Sequence, residues 1–254
     1  MKKMLRVAFA ITLYGFGALA SARAQQNSCG RSEAVEVQFQ ARTFPVQKIG
    51  RAVLFQAGMS VDADGAPNAY GPHNKGLDFI ANARNGGRFV GVATHADGTP
   101  VIQRSGRFKG YYVSTTSLRN AAGSVSASGT YVNAGKIPYV VLPPEFMQQF
   151  GVALGDLALV INQKNGKSSP AIFADVGPRG RIGEGSVALA RALGLDANPR
   201  RGGTGAPSIA YLVFPGSGLG QGRLRTAKEI KSSTFKVFRA WGGAKRIKAC
   251  FLVN

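Results

Sequence analysis

The sequence predicts a mainly β protein that folds as a single domain. Short apolar stretches alternate with turn residues along the chain, glycine is abundant with 34 residues, and only one segment has a strong helical pattern. Residues 25–254 are enough to bury a core, and they fall in the length range of one all-β barrel domain. No internal repeat is visible, so a repeat array is not expected.

Strands are predicted where β-branched and aromatic residues cluster between turn signals. The stretch IPYVVLPP gives a buried strand that stops at two prolines before a short helical turn. The stretch DLALVINQKNGKSSPAIFADVGP gives a hairpin with its turn at Asn165 and Gly166. Further strands are expected in VEVQFQ, AVLFQAGMSVD, RFVGVAT, PVIQ, GYYVSTTSL, SIAYLVF and the C-terminal ACFLVN.

The one clear helix is predicted in the stretch GEGSVALARALGL. Ser186 is a natural N-cap, and Val187, Ala190 and Leu193 recur at the spacing of one helical face. Gly194 can end the helix in the left-handed conformation. We therefore expect this helix to start directly after the segment that carries Glu184.

The first 24 residues have the pattern of a secretory signal peptide. Lys2, Lys3 and Arg6 precede an apolar run, and Ala22-Arg23-Ala24 is a small-x-small cleavage signal. A transmembrane anchor is the alternative, but the run at 7–20 is shorter than the roughly 20 residues that a span needs. We expect cleavage after Ala24, a secreted or periplasmic protein and no stable membrane anchor.

Two cysteines lie near the two ends of the mature chain. Export places Cys29 and Cys250 where disulfides persist, so we expect a bridge that joins the termini. Two free or unrelated thiols are the alternative. Two cysteines alone cannot make a metal site.

The chain is strongly basic, with a formal net charge of +20. The leader carries four basic and no acidic residues, so subtracting four leaves +16 on the mature protein. Much of this charge follows Arg200. Outside the cytoplasm such a surface favours anionic cell-envelope polymers rather than nucleic acid as partners.

Two carboxylates form the main candidate site. Asp175 ends the predicted strand AIFAD, and Glu184 follows nine positions later, before the predicted helix. Paired carboxylates are what glycoside hydrolysis needs, since one protonates the leaving oxygen and the other activates water or attacks the sugar. The alternative is structural, because Asp in a turn and Glu near a helix start are both common.

Other polar motifs give weaker signals. Asp62 and Asp64 in DADG resemble the start of a calcium loop, but the later ligands are missing and a turn is favoured. His73 and His95 lack zinc-ligand spacing. We therefore expect no metal and no cofactor.

Aromatic and hydroxyl side chains upstream are candidates for sugar binding. Tyr70 and Tyr112 could stack on sugar rings, with core packing as the alternative. Thr115 and Thr116 stand in a hydroxyl-rich segment without a nucleophile elbow, so sugar hydrogen bonding or strand packing is expected there.

Several of these segments resemble the chitosanases of glycoside hydrolase family 75. The resemblance covers residues 53–218 and is carried by IPYVVLPP, GDLALVI, ADVGPRGRIGEGSVALARALGL and IAYLVFPGSG, with an upstream half like that of bacterial members. It implies one family-75-like domain over residues 25–254 with a basic C-terminal extension. It also implies a catalytic pair of Asp175 and Glu184, no cofactor, and a polysaccharide substrate such as chitosan bound with help from Asp62 and Asp64.

The same stretch is similar to the barrels of rare lipoprotein A, expansins and family 45 glucanases. This resemblance implies a six-stranded double-psi β-barrel core with one well-defined helix and peripheral loops. It keeps open a second function, in which the protein binds or lytically cleaves peptidoglycan. With either function we expect a monomer.

Family 75 enzymes are inverting, so the resemblance implies one acid and one base. The helix N-terminus favours Glu184 as the base and the apolar strand favours Asp175 as the acid, whereas the related barrels place the acid before the helix. Both assignments stay open, with Glu184 preferred as the acid.

Overall fold

The fold is a closed β-barrel with one hairpin added at its side. The computed structural model describes residues 32–39 and 42–251. The strands are β1 (Ser32–Phe39), β2 (Arg42–Ile49), β3 (Ala52–Asp62), β4 (Arg84–Asn85), β5 (Arg88–Phe89), β6 (Tyr139–Leu142), β7 (Leu157–Asn162), β8 (Ser168–Val176), β9 (Glu184–Ser186) and β10 (Thr204–Phe214). The helices are α1 (Pro144–Phe150), α2 (Val187–Ala192), α3 (Ala227–Trp241) and α4 (Gly243–Phe251).

Six strands close the barrel in the order β3, β10, β7, β8, β6, β9 and back to β3. The sheet is mixed, because β6 pairs parallel to β8 and β9 pairs parallel to β3, whereas the other neighbours are antiparallel. The β1–β2 hairpin continues the sheet outward from β3. This confirms the predicted mainly β barrel, while the double-psi connectivity stays a prediction.

The core fills the barrel and extends beneath α1. Phe55 of β3 stacks on Tyr211 of β10 with ring centroids 4.7 Å apart, and Phe146 of α1 meets Phe55 edge-on at 5.1 Å. All three side chains are almost fully buried. Offset and edge-on ring pairs of this kind stabilise a core beyond the area that they bury.

Two predicted elements next to the candidate site are confirmed. The hairpin forms as β7 and β8, with Gly166 at a φ of 72° in its turn. Helix α2 starts after Ser186, whose hydroxyl accepts a hydrogen bond from the Leu189 amide, and Gly194 follows with a φ of 71°. Local capping chemistry therefore fixes where Glu184 lies relative to the helix.

The prediction of a single helix and of a C-terminal strand was wrong. The chain after Thr226 forms α3 and α4, and ACFLVN starts inside α4 instead of a strand. The physical reason is local, because Thr226 and Glu229 form a complete capping box at the start of α3. Ile230, Thr234 and Trp241 then bury one helical face against the barrel, where α3 packs on β7 and β8.

The segments between β5 and β6 also differ from the prediction. The expected strands in RFVGVAT, PVIQ and GYYVSTTSL meet mainly through isolated bridges such as Val92 with Ser114 and Ile102 with Tyr112. Glycines with positive φ, at Gly98, Gly106 and Gly110, turn the chain too often for long strands to form.

Two predictions concern residues outside the part that the structure describes. The signal peptide at 1–24 is one, and the pairing of Cys29 with Cys250 is the other, since only Cys250 is described, buried on α4. Both stay predictions. Within the described residues no helix combines the length and apolar character that crossing a membrane requires.

Candidate active site

A bulge in β8 positions Asp175. The pairing of β8 with β6 shifts by one residue, so that Val140 lies opposite Phe173 and Val141 lies opposite Asp175. Ala174 is the extra residue, and its carbonyl accepts a hydrogen bond from the Leu118 amide at 2.8 Å. The bulge therefore aims Asp175 out of the regular ladder, as bulges beside active sites often do.

The Asp175 carboxylate is held by three donors on one oxygen. Its Oδ1 accepts from the Ser117 hydroxyl at 2.6 Å, the Ser117 amide at 2.8 Å and the Val176 amide at 2.9 Å. Burial raises the pKa of Asp175 to about 6, and these hydrogen bonds act against that rise because they favour the ionised form.

Glu184 lies on the same face of the sheet as Asp175, with strand β6 between the two residues. Val141 of β6 pairs with Asp175 on one side and with Glu184 of β9 on the other. Two interstrand steps place the Cα atoms about 9–10 Å apart. A Cβ added at Gly177 would lie 3.0 Å from Val141 Cγ1 and 3.7 Å from Glu184 Oε2, so a larger residue here would crowd Val141, the residue that pairs with both acids.

Burial and several charged side chains change the pKa of Glu184. Burial raises the pKa of Glu184 to about 7, with further rises from the charges of Asp175 and Asp78, whereas the Arg181 guanidinium lowers it. Arg181 lies in the loop at 177–183 that joins the two carboxylates. No donor within the described residues is bonded to the Glu184 carboxylate.

Asp62 and Asp64 join the site from the end of β3. Tyr139 Oη is 2.9 Å from Asp62 Oδ2 and also from the Asp64 carbonyl, and Tyr70 Oη donates to Asp64 Oδ1 at 2.7 Å. Burial, followed by repulsion from neighbouring carboxylates, raises the pKa of both aspartates well above the usual range. Burial also raises the pKa values of the two tyrosines, so both hydroxyls stay protonated as donors.

Three of these carboxylates could share a cation on geometric grounds. One oxygen each from Asp62, Asp64 and Asp175 lie within 4.8 Å of one another, and hard cations take carboxylate oxygens. Tyrosine, serine and backbone donors already bind oxygens of all three groups, which satisfies much of their charge without an ion. That the protein needs no metal stays a prediction.

The remaining predicted binding residues lie around this cluster in different settings. Tyr70 is buried, and Thr116 is buried with its hydroxyl donating to the Leu118 carbonyl and accepting from the Val132 amide. Tyr112 and Thr115 are half-buried. The Thr115 amide donates to the Gly91 carbonyl, and Gly91 itself lies beside the Asp64 carboxylate. Their roles in substrate binding stay predictions.

Sequence reasoning missed several residues that shape the site. Ser117 follows Thr116 in the hydroxyl-rich segment and holds Asp175, and Tyr139, in the predicted buried strand IPYVVLPP, binds Asp62. Glu145 on α1 accepts a hydrogen bond from the Gly180 amide and faces Arg179 at 3.9 Å, so it fastens the loop between the two carboxylates. The acidic residue at the start of a short helix was the available signal for Glu145.

Comparison with known proteins identifies the family of the chain. A comparison with curated protein sequences finds no match. A model of the fungal chitosanases of glycosyl hydrolase group 75 matches residues 59–242, which include Asp62, Asp64, Asp175, Glu184 and most of the barrel. The chain therefore belongs to the glycosyl hydrolase group 75 family of chitosanases, and it is a glycoside hydrolase that acts on a polysaccharide.

Proposed function

We propose that the protein hydrolyses a β-linked amino-sugar polymer such as chitosan at internal bonds, with inversion of the anomeric carbon. The observation that carries this proposal is the pairing of Asp175 and Glu184 with the same Val141, from the two sides of β6 and on one face of the sheet. Inverting enzymes need about 6.5–9.5 Å between carboxyl groups to hold a water, and this spacing of strands supplies that room.

The surroundings assign a different task to each carboxyl group. Glu184, whose pKa is raised to about 7, is the general acid that gives its proton to the glycosidic oxygen. Asp175 is kept ionised by three donors, and it takes a proton from the water that attacks the anomeric carbon from the opposite side. The leaving sugar gains the proton of Glu184, and the other sugar gains the hydroxyl of the water.

The local charge of the site suits a cationic polymer despite the basic chain. The site brings together four acidic side chains, those of Asp62, Asp64, Asp175 and Glu184. The negative charge of Asp78 also raises the pKa of Glu184. Asp156 has a different role, because it binds the backbone amides of Ala153 and Gly218. A cleft that is locally acidic can attract protonated glucosamine units while the rest of the surface is basic.

The test is a product assay with single-atom substitutions of the two acids. We expect Asp175→Asn and Glu184→Gln to lose about a thousandfold or more of the activity on chitosan oligomers, with folding intact. Asp97→Asn, at an exposed turn, is the matched control and should keep full activity. Proton NMR of the first product should show the inverted anomer, and either retention or full activity of both variants would overturn the mechanism.

A second function is favoured by the basic C-terminal helices. Their one acidic residue, Glu229, is bound in the capping box, whereas six cations are exposed: Lys228, Lys231, Lys236, Arg239, Lys245 and Lys248. Such a surface suits an anionic cell-envelope polymer, as expected for a wall-binding protein. Pelleting with peptidoglycan that is lost at high salt and in a variant with Lys228, Lys231 and Lys236 changed to Glu would support this partner. Pelleting without any sugar release would favour binding alone.

We further propose that the protein is exported and loses its leader after Ala24. The basic, apolar and small-x-small segments of the first 24 residues support this proposal. Amino-terminal sequencing of the mature protein should then begin at Gln25. A mature protein that retains Met1 in the cytoplasm would contradict export.

A further inference from the structure

An exposed aromatic residue lies on a loop that leads directly away from the acidic cluster. Among the aromatic side chains whose exposure the structure describes, Phe79 is the exposed one, at 42%. It follows Asp78, which is buried and accepts a hydrogen bond from the Phe79 amide at 2.7 Å. A single exposed apolar residue is ordinary by itself, so the question is whether the loop is built to present it.

The loop at 70–80 is held by several specific contacts. His73 and Asn74 both have left-handed backbones, with φ values of 53° and 56°, which residues other than glycine adopt at a cost. The Asn74 side chain accepts from the Ile80 amide at 2.8 Å, which closes the loop beneath Phe79. A Cβ at Gly76 would lie 2.1 Å from the Ala69 carbonyl oxygen, so the chain passes there with no room to spare.

Arg200 fastens the loop from outside and covers part of the Phe79 ring. Its Nη2 donates to the Asn74 carbonyl and, at 2.7 Å, to the Gly76 carbonyl. The guanidinium lies 4.5 Å from the centroid of the Phe79 ring. One cation and one aromatic ring are therefore presented together in a fixed geometry.

The same loop is connected to the acidic cluster by short contacts. Its first residue, Tyr70, donates to Asp64, and the Asp78 amide donates to the Ala69 carbonyl at 3.0 Å. The contacts of Tyr70 and Asp78 therefore position the Phe79 ring relative to Asp64. The negative charge of Asp78 also raises the pKa of Glu184. Phe79 therefore stands directly after an acidic residue whose charge acts on Glu184, at the exposed end of the loop that starts beside Asp64.

We propose that Phe79 and Arg200 form a sugar-binding subsite that takes an N-acetylated unit in preference to a protonated glucosamine. The ring offers an apolar face to the C–H side of a pyranose. The fixed guanidinium repels an ammonium group but can donate to the carbonyl of a neutral acetamide. This inference rests on the proposed function, since it takes an amino-sugar polymer as the substrate.

Binding, measured without turnover, separates the subsite from the chemistry. Calorimetry with the Glu184→Gln protein would compare fully deacetylated with partially acetylated hexamers. We expect Phe79→Ala to weaken binding of the acetylated hexamers about tenfold and that of the deacetylated hexamer less than about twofold. Arg200→Gln should reduce the difference in affinity between the acetylated and the deacetylated hexamers, because the guanidinium no longer repels the ammonium group.

The chain offers a matched control in Phe108, whose ring also faces an arginine, Arg107, at 5.5 Å. Phe108→Ala and Arg107→Gln should leave both affinities unchanged. If Phe79→Ala lowered the affinity equally for both ligands, or did not lower it at all, the proposed subsite would be refuted. Failure of the proposed function would be seen separately, as continued cleavage of the hexamers by the Glu184→Gln protein.

Discussion

Asp175 and Glu184 differ in what surrounds their carboxyl groups, and this difference predicts the pH profile. Asp175 must be ionised to act as the base, so the rate should fall as pH drops below its pKa of about 6. Glu184 must be protonated to act as the acid, so the rate should fall as pH rises above about 7. We expect kcat/KM on chitosan oligomers to be greatest between these values. A rate that still rises above pH 8 would contradict the assignment.

Removing the Ser117 hydroxyl should move only the acidic limb of that pH profile. This hydroxyl donates to Asp175 Oδ1, and this hydrogen bond favours the ionised form. Ser117→Ala should raise the pKa of Asp175, which moves the acidic limb of the profile upward by about one pH unit. The basic limb should stay in place.

Ser126→Ala, an exposed serine in a distant loop, is the matched control for this shift. If both limbs moved together, or neither moved, Ser117 would have only a structural part in the site. The full pH profile therefore has to be measured for all three proteins.

At the scale of elements, α1 reaches across to the loop that joins the two carboxylates. Glu145 binds the Gly180 amide and faces Arg179, and Arg181 in the same loop lowers the pKa of Glu184. Glu145→Ala should free the loop and reduce kcat about tenfold with little change in KM, because the reacting groups lose their alignment. The basic limb of the pH profile should also move upward as Arg181 leaves Glu184.

Two variants separate this effect from a loss of stability. Glu145→Gln keeps an oxygen for the Gly180 amide and should restore most of kcat. Glu229→Ala removes the capping box at the start of α3 instead, so it should lower the melting temperature without a change in kcat. A fall in kcat with Glu229→Ala, or none with Glu145→Ala, would refute the proposed part of Glu145.

The elements also show what the sequence could and could not predict. The β7–β8 hairpin and α2 were predictable, because Asn165-Gly166 and Ser186 act through their immediate neighbours. The contact of Ser117 with Asp175 joins residues 58 positions apart, and the shift in β8 depends on its pairing with β6, so no local pattern marks either feature. α3 was missed although its capping box is visible in the sequence, because its basic residues were read only as charge.

At the scale of the whole molecule, the cluster of acids makes stability depend on pH. Burial raises the pKa values of Asp62, Asp64, Asp175 and Glu184, so the folded state binds more protons than the unfolded chain. A raised pKa contributes stability that is complete below the unfolded value and is lost as pH rises through the folded value. For Glu184 that window runs from the usual value of 4.5 up to about 7.

A neutral isostere at position 184 should therefore stabilise the folded protein at pH values above the folded pKa of Glu184, which is about 7. Glu184→Gln removes the cost of ionising a buried group, so its free energy of unfolding at pH 8 should exceed that of the wild type by about 1–3 kcal/mol. At pH 4 the two proteins should be nearly equal, because Glu184 is then protonated in both the folded and unfolded states. Denaturant titrations at the two pH values would measure this difference, with Glu36→Gln, at an exposed position on β1, as the control. An advantage of Glu184→Gln that is as large at pH 4 as at pH 8 would arise from packing, and it would contradict an electrostatic cost at the active site.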